Sequence, residues 1–386
     1  MFLDRLMERN RPLAEVALKW QQDGTILPDT YVVDVDAVVE NGRMMLEAAN
    51  PRGIKLYFML KQIGRNPYLA KKLMDEGFAG AVCVDYKEAL VMARAGVKLG
   101  NVGHLVQTPK HVLPEILAAR PDIMTVYTVE KAREISEEAQ RQGFTQDIML
   151  RVLGEGDVLY SGQYGGFKLD ELEDVVDSLE CLGGVRIAGV CSFPCFLYSA
   201  KTDELEPLQN LETVLSAAQA LSERGYENLQ INTPSASCTH VVPVVAAAGG
   251  THLEPGHALT GTTPYHAVHA DAEERVGYVY VSEVSHNVDG RGFCYGGGHY
   301  RRGHVANALV GTTLSDAVRV QVTPPTDESI DYHFELSQPC PVSAGVLMCA
   351  RTQVFVTRSE VALVEGLSSG APRLQGVYTA LGERVR

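Results

Sequence analysis

Apolar runs of strand length recur between residues 54 and 254, and they alternate with stretches whose apolar positions fall at helical spacing. The runs lie at 54–60, 79–85, 101–106, 123–127, 147–153, 185–193, 227–233 and 251–254. The helical stretches lie at 67–77, 86–95, 129–143, 169–182, 208–225 and 239–248, several of them ending in the glycine that stops a helix. This succession predicts an α/β fold, a closed parallel (β/α)8 TIM barrel whose catalytic groups sit on loops after the strands. From about residue 273 the pattern changes to short alternating runs at 276–284, 307–311, 318–322, 346–357 and 361–364, broken by Gly, Asp, Pro and Ser. That pattern predicts a mostly antiparallel β domain. The first 22 residues predict amphipathic helix with a break at Arg11-Pro12, and the run 31–36 predicts a strand that joins the β domain. The expected organisation is an N-terminal helix and strand at 1–50, the barrel at 51–270 and the C-terminal β domain at 271–386.

Composition fits two cores and narrows the partners. A chain of 386 residues with 45% hydrophobic residues can bury one large core and a smaller one. Its net charge of −14 argues against a nucleic-acid footprint, which needs clustered Lys and Arg, and favours small metabolites. No apolar stretch reaches the roughly 18 residues of a membrane span. The first residues mix acids and bases where a signal peptide has an apolar centre, so a cytoplasmic protein is expected. Eight scattered cysteines without a CxxC pair read as buried thiols.

Candidate chemistry gathers at the ends of predicted strands. Lys61 closes the first barrel run, and Glu254-Pro255-Gly256-His257 closes the eighth. The loop after the seventh runs Asn232-Thr-Pro-Ser235-Ala-Ser237-Cys-Thr239, rich in small hydroxyls at a helix start. Pyridoxal phosphate needs a lysine amine for a Schiff base, a partner for its ring nitrogen and backbone N–H groups for its phosphate. These three segments could supply them, on loops where barrels bind phosphate. Alone, the hydroxyl cluster reads equally well as helix capping.

The strand at 31–36, the helix containing Glu40-Asn41-Gly42, Lys61 and the Glu-Pro-Gly loop resemble the alanine racemase and ornithine decarboxylase class, fold type III pyridoxal phosphate enzymes. More closely, residues 56–67 (LYFMLKQIGRNP), 83–96, 103–109, 253–261, 294–304 (CYGGGHYRRGH) and 351–359 resemble the YhfX family of racemase-like proteins. The resemblance spans nearly the whole chain. It implies a barrel plus β domain, and a homodimer in which each active site borrows residues from the partner's β domain.

By this resemblance Lys61 is the Schiff-base lysine, and Arg65 takes the place of a phosphate-contacting tyrosine. Gly256 and His257 match the phosphate end of the eighth loop, through their backbones more than the imidazole. Glu254 stands where alanine racemases carry arginine and decarboxylases carry glutamate. A carboxylate there keeps the ring nitrogen protonated and strengthens the electron sink for any reaction at Cα. Tyr295 matches the tyrosine that acts as the second base in alanine racemase, although the aspartate of that segment is Gly297 here. Ser192 or Phe193 replaces the histidine that packs on the pyridine ring. The His and Cys metal ligands of related D-threonine aldolases have no clear match at 345–352, so no metal is expected. His266, His269, His299 and His304 lack an acidic or cysteine ligand at reliable spacing. Arg301 and Arg302 are candidates for a substrate carboxylate or a dimer contact. The leading expectation is an amino acid racemase, with a decarboxylase or carbon–carbon lyase as alternative and a low-turnover cofactor carrier as a third reading.

Overall fold

The computed structural model describes all 386 residues, which divide into two compact units. One comprises Arg43–Met59 and Pro67–Gly256; the other comprises Met1–Gly42, Leu60–Asn66 and His257–Arg386. The chain therefore leaves the first unit at Met59 and again at Gly256, each time just after a barrel strand.

The first unit is a parallel barrel. Its strands, in chain order, are Lys55–Phe58, Gly80–Cys83, Leu99–Val102, Ile123–Val126, Gln146–Leu153, Val185–Cys191, Gln230–Asn232 and His252–Leu253. Each pairs in parallel with the next, and the eighth pairs with the first (His252 opposite Lys55), closing the ring. All eight strands predicted from the apolar runs are present; seven are shorter than their runs, and the fifth, Gln146–Leu153, begins one residue before its run. Tyr57 fills the interior, 1% exposed, and approaches Gly100 so closely that a Cβ there would lie 2.3 Å from its ring. Among the elements that escaped the pattern are the short helix Leu113–Ala118, the two-residue strand Phe167–Lys168 beside the fifth barrel strand, and a hairpin of Phe196–Ser199 with Glu204–Pro207 after the sixth.

The second unit is a nine-stranded sheet, antiparallel except where Thr30–Asp34 lies parallel to Glu360–Glu365. Thr30–Asp34 sits between Tyr278–Val288 and Glu360–Glu365. It is shorter than the predicted 31–36, because Asp34 Oδ1 accepts from Ala37 N and starts the helix Val35–Ala49. The run 346–357 is not one strand: Gly345–Met348 ends before Cys349, and Val354–Val356 forms a 3-10 turn. Strands Arg291–Tyr295, His333–Leu336 and Arg373–Thr379 were not predicted.

Helices Phe2–Arg9 and Arg11–Gln22 meet at Asn10, with Pro12 inside the first turn of the second, where a missing N–H costs nothing. Leu13, Ala14, Ala17 and Leu18 recur at helical spacing and are buried. A Cβ on Gly345 would lie 2.3 Å from Leu18 Cδ1, so glycine permits this helix to approach the sheet. Asn10 ties the joint, its Nδ2 donating to Asp34 Oδ2 at 2.8 Å and to Val276 O at 3.0 Å. Burial raises the Asp34 carboxyl above its ordinary range, and the Asn10 bond opposes that rise. Asn10→Ala leaves both acceptors unsatisfied, so urea denaturation should report a loss of about 1–3 kcal/mol.

Candidate functional site

Glu254 follows the last residue of the eighth barrel strand and is 5% exposed. One oxygen is fully engaged: Oε1 accepts from Asn101 Nδ2 at 2.9 Å and from Asn232 Nδ2 at 2.7 Å. Asn101 is itself oriented by Thr125, whose Oγ1 donates to Asn101 Oδ1 at 2.7 Å. Oε2 has no hydrogen bond, and His104 Nε2 stands 3.4 Å from it. Third, fourth and seventh barrel strands thus aim a carboxylate and leave one of its oxygens able to accept. A buried acceptor left in that state fits the protonated nitrogen of a ring ligand.

The barrel unit holds further buried polar groups, some of them without a hydrogen bond. The loop after the seventh strand carries Ser235 at φ +100° and Ala236 at φ +50°, a backbone conformation that non-glycine residues adopt at a cost. Ser237 Oγ and Thr233 Oγ1 are buried without hydrogen bonds. Hydroxyls in that condition fit an anion such as a phosphate. Ser192, fully buried, has its hydroxyl engaged: Asn210 Nδ2 donates to it at 3.2 Å, and Asp157 Oδ2 lies 3.5 Å away. Its neighbour Phe193 packs between the rings of His104 and Tyr160, at centroid distances of 5.5 and 5.6 Å. Arg151, on the fifth strand, was not singled out from the sequence. It is 1% exposed and donates to Tyr127 Oη at 3.1 Å and Gln163 O at 2.8 Å, while its Nε has no partner. Only its place within an apolar run marked it.

The β-domain unit holds the remaining candidates. Lys61 opens the 3-10 turn Lys61–Ile63, directly after the chain leaves the first barrel strand. This turn lies close on Val354–Val356, and a Cβ on Gly64 would come 2.7 Å from Val361, so glycine is needed at φ +83°. Arg65 follows at φ +52°, only 1% exposed, its guanidinium 4.7 Å from the Phe355 ring centroid. Gly256, the last residue of the barrel unit, is buried; His257, the first residue beyond it, is buried too, with its Nε2 facing Arg351 Nε and Gln353 Nε2, each at 3.2 Å. Arginine can only donate, so Nε2 accepts and the ring is neutral with its proton on Nδ1. Burial, then the charges of Arg351 and Lys61, depress the His257 pKa well below the ordinary range. Its Nδ1–H has no partner in the structure, which gives the imidazole a donor that sequence reasoning had assigned to the backbone.

Tyr295 ends the strand Arg291–Tyr295, is 40% exposed, and faces His333 across the strand pair with ring centroids 6.0 Å apart. Arg301 is exposed and paired with Asp327 at 2.6 Å. His266 is buried between Thr263 Oγ1 at 2.6 Å and Glu274 Oε2 at 2.9 Å, and His269 stacks on Tyr265. Cys294 and Cys349 are buried, and burial raises both thiols above their ordinary range.

A parallel barrel with this carboxylate at its eighth strand, joined to an antiparallel β unit, has the fold of the alanine racemase-like class, whose members use pyridoxal phosphate. The alanine racemase N-terminal domain family matches residues 33–264, and the YhfX-like C-terminal domain family matches residues 279–374. Protein YhfX of Escherichia coli (strain K12) is 44% identical over 386 residues, 100% of each chain. The chain belongs to the YhfX family. Among solved structures, D-threonine aldolase from Filomicrobium marinum superposes with TM-score 0.67 at 16% identity, over 92% of this chain and 95% of its own. Alanine racemase from Clostridium difficile 630 gives 0.64 at 16% identity, over 92% and 99%. D-threo-3-hydroxyaspartate dehydratase from Delftia sp. HT23 gives 0.65 at 16%, over 91% and 97%. At such identities the likeness is one of fold. No helix of the chain is long and apolar enough to cross a membrane.

Proposed function

We propose that this protein is a pyridoxal phosphate-dependent amino acid racemase, with Lys61 and Tyr295 as its two acid–base groups and Tyr295 serving the partner subunit's site in a homodimer. The observation that carries the cofactor is Glu254: a buried carboxylate with one oxygen saturated by two amides and the other without a hydrogen bond. Bound pyridoxal phosphate supplies an electron sink for the electrons left at the substrate Cα. Lys61 holds the cofactor and moves a proton on one face; Tyr295 moves one on the other, because inversion needs a group on each side. Glu254 accepts from the ring N–H, and Phe193, not the hydroxyl-bound Ser192, packs on the ring. Arg65, Ser235, Ser237, Gly256 and His257 take the phosphate, His257 through its Nδ1–H as well as its backbone.

A second reading shares this site. Glu254 would serve a decarboxylase or a carbon–carbon lyase equally well, and an aldolase and a dehydratase have this fold. What favours racemisation is the phenol of Tyr295, exposed at a strand end. Glu254→Gln tests the cofactor's partner. The amide keeps Oε1 as acceptor for Asn101 and Asn232 but turns a donor toward the ring nitrogen, so cofactor should bind while turnover falls on the order of 10²-fold. Cofactor absorbance and steady-state rates read the two effects. Unchanged turnover would remove Glu254 from the role.

A further inference from the structure

The turn after Tyr295 is made of glycines, and other residues occupy the volume their side chains would take. Gly297 has φ +123°, and a Cβ there would lie 1.8 Å from Asp29 Oδ2. A Cβ on Gly298 would lie 2.3 Å from Tyr280 Cε2 and 2.9 Å from Ser359 Oγ. Asp29 itself stands at φ +66°, left-handed for a non-glycine residue. Its Oδ1 accepts from Tyr280 Oη at 3.0 Å and from Ser359 Oγ, and its carbonyl accepts from Glu360 N at 3.1 Å. Gly297 O in turn accepts from Arg358 N at 3.1 Å. Through its carboxyl and its carbonyl, Asp29 thus joins the start of Thr30–Asp34 to the start of Glu360–Glu365, and its Oδ2 stands against the turn that follows Tyr295.

We infer that Asp29 is the positioning residue for Tyr295, its carboxyl standing beneath the glycine turn in place of a side chain at position 297. The inference rests on the reading of Tyr295 as an acid–base group. Tyr31 and Tyr280 face the carboxyl from their strands, and Arg358 and Asp331 from the adjoining loops. Burial raises the Asp29 carboxyl to about 6, Asp331 adds to the rise, and Ser359, Tyr280 and Arg358 oppose it. The carboxyl is therefore neutral at mildly acid pH and charged above it. Its contribution to stability is fully present below the ordinary carboxylate range and is lost as pH rises through about 6. The charge that then appears lies directly against Gly297, two residues from Tyr295.

The test places 3-fluorotyrosine at position 295 of the pyridoxal phosphate-loaded protein and follows its fluorine resonance between about pH 5 and 7.5. The expected result is a single step with a midpoint near 6 that disappears in Asp29→Asn and persists in His333→Gln, whose ring is the cross-strand neighbour of Tyr295. Ser359→Ala, which removes one bond that lowers the Asp29 pKa, should move the midpoint upward, and it supports the inference even if Asp29→Asn does not fold. No step, or a step abolished by His333→Gln and retained in Asp29→Asn, overturns the role of Asp29. Full racemisation by Tyr295→Phe would instead sink the acid–base reading while leaving the fluorine result standing, so the two failures are distinguishable.

Discussion

Lys61→Ala should lose the covalently held cofactor and cut turnover by about 10⁴-fold or more, the upper end of what a positioned acid–base group contributes before loss of the covalent link is added. Lys61 opens a turn just after the first barrel strand, which pairs with the eighth, and Glu254 follows the eighth directly. The turn is fixed by Gly64 against Val361 and by the buried Arg65 over Phe355, so its lysine has a defined place. Alanine preserves that backbone. The variant should therefore fold with unchanged circular dichroism, lack the visible absorbance of the wild type, and yield no cofactor-labelled peptide after borohydride reduction. Wild-type protein treated in the same way should carry the label at Lys61; a label on another lysine would overturn the site assignment.

Tyr295→Phe should retain cofactor and assembly but lower interconversion of enantiomers by about 10²–10⁴-fold, the contribution of one positioned acid or base. The phenol is exposed at a strand end, so its removal leaves the core of the sheet, Cys294 and Phe334 included, intact. Exchange of the α-proton from the face served by Lys61 should continue. Solvent deuterium would then enter one enantiomer without inversion. If Tyr295 acts across the dimer, mixing Lys61→Ala chains with Tyr295→Phe chains should restore one competent site per heterodimer. Absence of any restored activity in the mixture would place the tyrosine in its own subunit's site.

Much of the architecture was legible because the barrel writes itself into the chain as local periodicity: strands are short apolar runs, and several helices end near a glycine. Lys61 and Glu254 were legible for the same reason, as polar residues at the ends of such runs. The partners that aim Glu254 were not. Asn101, Asn232 and His104 belong to other strands or their loops, and only barrel closure brings them to one carboxylate. Arg151 is an alternate position within an apolar run, where a charge is readable as burial only once the barrel interior is known. The run 346–357 misled because its apolar residues are consecutive, whereas the chain leaves the sheet after Met348 and brings Arg351 and Gln353 onto His257. Asp29 lies far in sequence from Gly297, and its meeting with that turn is a property of the sheet's strand order. The hairpin after the sixth barrel strand has strands of only four residues, too short a signal to register between that strand and the helix Gln209–Glu223.

Racemisation requires that one bound substrate exchange its α-proton on both faces. Its most direct measurement incubates the pyridoxal phosphate-loaded protein with a panel of single D- and L-amino acids in deuterated water, following chirality by chiral chromatography, deuterium at Cα by NMR, and release of CO₂ and aldehyde. At least one amino acid should be converted to its mirror image, with one deuterium at Cα and neither CO₂ nor aldehyde released. Stoichiometric CO₂ or aldehyde with no inverted enantiomer would contradict it and favour a decarboxylase or a carbon–carbon lyase.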